Sequence, residues 1–158
     1  MLLPFFKALE KLAFSDAIRQ SSWVGPAVNV AHLLCLVVLT GAIVVVDLRL
    51  LGRGMTLQPV SQVARAARPW LLGALLGMLL TGIPQLTSTA MKQYYNQFFW
   101  QKMSILLLTL IFTFTIRHKV TMASEGEVGP VRAKIVGLIS LLLWSNVAIQ
   151  GRLIGLLS

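Results

Sequence analysis

The chain has 158 residues, of which 56% are hydrophobic and 12% charged, and its mean hydropathy is +0.78. A soluble domain carries about 25% charged residues, so a disordered tail, a collagen-like repeat and an ordinary cytosolic enzyme are excluded and one membrane domain is indicated. The net charge of +9 comes from 14 Lys+Arg against 5 Asp+Glu; these basic residues sit between apolar runs, where they set topology and meet anionic head groups, so no nucleic acid is expected as a partner.

Residues 1–22 come first and differ from the rest. Leu2, Phe5, Phe6, Leu9, Leu12 and Ala13 recur at i, i+3, i+4 and i+7, with Lys7, Glu10 and Lys11 on the other side. That pattern predicts an amphipathic helix lying in the membrane interface. The charges interrupt any apolar core, which argues against a cleaved signal peptide.

Four apolar runs follow within residues 23–158, each long enough for a hydrocarbon core of about 30 Å, which takes about 20 residues. They span approximately Trp23–Val46, Pro69–Thr87, Phe98–Ile116 and Val131–Leu157. Backbone groups in hydrocarbon need internal partners, so each run is predicted helical, including the β-branched stretch Ile43–Val46. Trp23, Trp70 and Trp100 mark edges. Asp47 and Arg49 are placed at head-group depth beyond the first span, and Ser61–Arg68 as a short surface helix before the second. Asn96 is the expected cap of the third span, and Pro130 suits the first turn of the fourth. The expected fold is therefore all-α: four transmembrane helices preceded by an N-terminal interfacial helix.

Side A denotes the face where the first span begins. Side B then carries Arg49, Arg53, Arg65, Arg68, Arg117, Lys119, Arg132 and Lys134, against Lys7, Lys11, Arg19, Lys92, Lys102 and Arg152 on side A. The positive-inside rule makes side B cytoplasmic. Both termini are then expected on the outer face, which is the periplasm in a bacterium with two membranes.

Polar residues inside spans are costly and informative. Asn29 and His32, Thr81 and Gln85, Gln101 and Lys102, and Ser145, Asn146, Gln150 and Arg152 all fall in the side-A half. His32 lies roughly 13 Å below side A at 1.5 Å per residue, with Met78 and Asn146 at similar depth. One reading is interhelical hydrogen bonding that sets register. The other is a cofactor pocket built from His32, Met78, Asn29, Asn146, Lys102 and Gln150 that takes haem b or a quinone, with His32 as the metal ligand. His32 and His118 differ too much in depth to share one iron, which leaves His32 with Met78, or two His32 residues across a dimer. A copper path through Met78, Met91 and Met103 stops halfway and describes a site rather than a pore. His118 reads as a solvated loop residue, and Cys35 as a small buried apolar one. No nucleotide loop or nucleophile elbow is present. With Asp47 interfacial, no carboxylate serves a proton relay. Gly73 with Gly77, and Gly151 with Gly155, are small-residue pairs suited to bundle packing or self-association. The stretch Tyr94–Trp100 is an aromatic belt or a lid over the polar layer.

His32-Leu33-Leu34, Gly41, Asp47-Leu48-Arg49-Leu50-Leu51-Gly52, Arg68-Pro69-Trp70, Thr81-Gly82 and Phe99-Trp100-Gln101-Lys102 together resemble a family of small bacterial inner-membrane proteins with four helices and no established activity. The resemblance runs from Trp23 to Arg117. It extends more distantly to the copper-resistance D membrane proteins and to small b-type cytochrome bundles. The family pattern often carries a carboxylate where this chain has Asn29, so the resemblance does not imply an acidic site here. It implies a bacterial source and a four-helix bundle. The expected function is a non-catalytic subunit or anchor of a larger respiratory or metal-handling assembly. A self-contained b-type cytochrome or copper-handling protein, and a structural homo-oligomer, are the alternatives.

Overall fold

A computed structural model describes residues 2–11, 13–124 and 126–157, and among them every regular element is helical. The elements are α1 (Leu3–Glu10), α2 (Ala13–Gln20), α3 (Val24–Leu50), α4 (Val60–Ser88), α5 (Ala90–Tyr94), α6 (Gln97–Met122) and α7 (Pro130–Leu157). Four of them, α3, α4, α6 and α7, are long and apolar enough to cross a membrane. Their outer faces carry exposed Leu34, Val37, Leu80, Leu107 and Leu142, as lipid-facing helices do. Asn96 caps α6 as expected, its side chain accepting from Phe98 N at 3.0 Å. The hydroxyls of Thr40 and Thr109 donate to Leu36 O and Ile105 O one turn back, so these two carry no unmet hydrogen into the bundle.

Three local expectations are corrected. The single N-terminal helix is two. Phe6, 6% exposed, seats on the rings of Tyr94, Phe99 and Trp100 at centroid distances of 5.3, 6.3 and 6.1 Å. Ile18 on α2 is also buried, and α2 packs on α4. One straight helix cannot aim both residues at these different partners. Leu12, one of the expected apolar positions, lies outside the described residues. The Ser61–Arg68 segment is not a separate surface helix either, because α4 runs unbroken through Pro69 and Pro84. A proline removes one helical N–H, and next to the membrane surface water can meet the carbonyl it frees.

The third correction concerns charge. Asp47, in the last turn of α3, is not solvated but 0% exposed. Arg117 Nε donates to its Oδ1 at 2.8 Å, and Arg117 Nη2 donates to Ile43 O at 3.4 Å. Arg117 is itself 5% exposed, so it leaves the count of free side-B cations. A π-helical turn, Thr113–Arg117, sets this register within α6. The same turn presents Thr113, whose Oγ1 accepts from Trp144 Nε1 on α7 at 3.1 Å. Ser140, fully buried, stands beside the Asp47 carboxylate from α7. Two glycines make these approaches possible. A Cβ on Gly137 would lie 3.1 Å from both Asp47 O and Leu50 Cβ, and one on Gly77 would lie 2.5 Å from Cys35 Sγ. Gly77 is therefore a contact between α3 and α4 within one chain. Gly73 meets nothing within 4 Å.

Breaking a buried ion pair from one side leaves an uncompensated charge, whereas replacing both partners with apolar groups is often neutral. Asp47→Ala is expected to lower stability by about 3–5 kcal/mol. The double change Asp47→Leu with Arg117→Met should recover most of that loss. Unfolding midpoints in detergent micelles measure both, and a double variant as weak as the sum of its singles would contradict the account. Gly77→Leu should lower the same midpoint through overpacking, at a cost of about 1–3 kcal/mol.

Candidate functional site: a polar cavity between four helices

The side-A half of the bundle holds a cavity of about 260 Å³. Asn29 and His32 from α3, Met78 and Gln85 from α4, Lys102 from α6, and Gly151 and Arg152 from α7 line it, with Leu33, Leu36 and Val147 as apolar walls. Four helices thus bring polar groups to one layer.

Hydrogen counting fixes the chemistry of His32. Its Nδ1 lies 2.8 Å from Thr81 Oγ1, and Thr81 Oγ1 lies 2.7 Å from Gly77 O. A hydroxyl has one hydrogen to give. The carbonyl has none, so the threonine hydrogen goes to Gly77 O. The short contact to the ring then needs a hydrogen from Nδ1. In the neutral imidazole this leaves Nε2 with a lone pair, the arrangement of a histidine that accepts a proton or binds a metal through Nε2.

Two further groups are underused. Gln85 Nε2 is buried without a hydrogen-bond partner. Lys102 makes no ion pair among the described residues, and its Nζ sits where a Cβ on Gly151 would be 3.5 Å away. Gly151 thus makes room for the ammonium against α7. Among the described residues no carboxylate lines the cavity.

Of the six residues expected to hold a ligand, Asn29, His32, Met78 and Lys102 face this one cavity. Gln150 does not line it, although its Oε1 is buried without a partner. Asn146 is exposed and outside it. Gln85 belongs to the cavity, and its place as a polar residue in the side-A half of α4 is the signal that points to it. The methionine path does not converge. Met91 packs against the Phe6–Phe99 cluster and Met103 is exposed. Among the described residues no group of three or more His, Cys, Asp or Glu side chains is placed to hold a metal ion. His118 is not in a loop but inside α6, half-buried, at the other end of the bundle.

Thr81→Val is expected to free the His32 ring and shift its tautomer toward Nε2–H, at a stability cost of about 0.6 kcal/mol, the mean for hydrogen bonds between membrane helices. Imidazole 15N shifts of labelled protein read this directly. An unchanged tautomer in the variant would contradict the hydrogen count.

Residues 24–157 match the model of DUF6644, a family of unknown function, and the chain belongs to that family. No curated protein and no solved structure matches it.

Proposed function

We propose that this member of the DUF6644 family is a non-catalytic membrane subunit of a respiratory assembly, whose side-A cavity receives a quinone head group. One observation carries this reading: His32, Gln85 and Lys102 converge on a single apolar-walled cavity, and each has hydrogen-bonding capacity left over. A quinone carbonyl accepts hydrogen bonds, which Gln85 Nε2 and the Lys102 ammonium can give. The reduced form carries a hydroxyl hydrogen, which the His32 Nε2 lone pair can take. The volume of about 260 Å³ lies near the lower end of small-molecule sites, roughly 300 Å³, and suits one ring with an isoprenoid tail left in lipid.

The same geometry disfavours a haem ligated by His32 and Met78. His32 is hydrogen-bonded straight to Thr81, one turn along α4 from Met78, so no slot for a flat macrocycle separates the two helices. Side B as the cytoplasmic face, and hence periplasmic termini, follow from the basic residues that remain free there.

The test is titration of purified protein in mild detergent with decylubiquinone, read by quenching of tryptophan fluorescence. Saturable binding is expected, weakened at least tenfold in both His32→Ala and Gln85→Leu with helicity unchanged by circular dichroism. Wild-type protein that shows no saturable quenching would overturn the reading. A reduced b-type absorption band lost in His32→Ala would replace it with haem.

A further inference from the structure

At the opposite, side-B end a second cleft of about 100 Å³ opens between α4 and α6. Its polar lining is Arg68, Arg117, His118, Thr113 and Thr121, and no carboxylate contributes. Arg117 is spent on one flank only. Its Nε and Nη2 are bonded to Asp47 and Ile43, while Nη1 makes no hydrogen bond to any described residue and remains free to donate. Thr113 Oγ1 accepts from Trp144, which leaves its own hydrogen to give. Arg68 forms no ion pair among the described residues. The π-helical turn brings Thr113 and Arg117 to this cleft together, and such turns are frequent at functional sites.

Depth decides the kind of anion. Arg117 stands about 8 Å from the end of α6 and Arg68 about 12 Å from the start of α4, at 1.5 Å per residue. Helices of 26–29 residues overrun a core of about 30 Å, so both residues lie toward its side-B edge, where the exposed Arg68 can reach a lipid phosphate. A volume equal to a few waters admits one tetrahedral oxyanion and no ring. We propose that this cleft binds the phosphodiester of an anionic phospholipid, held by Arg68, Arg117 Nη1 and the Thr113 hydroxyl. Basic pockets between membrane helices on the cytoplasmic side recognise such head groups in this way. The inorganic phosphate ion offers the same oxygens but lacks the acyl chains that would lie along the exposed Leu72 and Phe114 at the cleft.

The experiment is native mass spectrometry of the full chain, delipidated in detergent and then offered phosphatidylglycerol, phosphatidylcholine or inorganic phosphate. Phosphatidylglycerol is expected to bind at least fivefold more tightly than phosphatidylcholine. Arg68→Ala should erase that preference. Arg132→Ala, an exposed cation outside the cleft, should keep it. Arg68→Lys, which retains charge but not the planar fork, should keep part of it and shows that loss in the alanine variant is not misfolding. Equal binding of the two lipids, or an undiminished preference in Arg68→Ala, overturns the proposal. Phosphate alone competing at equal concentration overturns the lipid as its source.

Discussion

A carboxylate and a guanidinium 2.8 Å apart, both withdrawn from solvent, join the first and third spans near side B. A charge withdrawn from solvent needs a partner from its own protein. Once Asp47 is paired with Arg117, much else follows. The π-helical turn must carry Arg117 inward, Gly137 must let α7 close on Asp47 O, and Ser140 comes to rest beside the carboxylate. The pair also separates the two ends of the molecule. Side B is locked by charge, while side A is held by neutral contacts around His32 and Thr81 and keeps an open cavity.

The two cavities divide along the same line. On side A the apolar walls Leu33, Leu36 and Val147 stand beside Asn29, His32, Gln85, Lys102 and Arg152. On side B the lining is cationic and narrow. The aromatic seat of Phe6 on Tyr94, Phe99 and Trp100 fastens the N-terminal helix to the start of α6, two residues before Lys102. The interfacial segment is thereby tied to the element that supplies the cavity's ammonium.

The sequence made the spans legible because apolar runs of this length have one solution in lipid. It also made the side-A layer legible, since counting 1.5 Å per residue brings His32 and Met78 to similar depth and puts Gln85 and Lys102 in the same half of the bundle. Two things escaped that counting. The position of Asp47 at the edge of an apolar run reads as a solvated charge, and only Arg117 opposite it on α6 shows it to be buried. The π-helical turn adds a residue without any Gly or Pro to announce it. Depth also says nothing about rotation. Asn146 shares the stratum of His32 yet points away, and Gly77 looks like a self-association stripe until Cys35 is found against it.

The ion pair has a consequence for how the chain is made. Its two halves are 70 positions apart. A ribosome adding about 5–20 residues per second therefore delivers the guanidinium roughly 4–14 s after the carboxylate. During that wait the newborn first helix carries a solitary acid. Because Asp47 occupies the last turn of α3, it can stay in water at the bilayer rim until the third helix arrives, and only then be drawn inside.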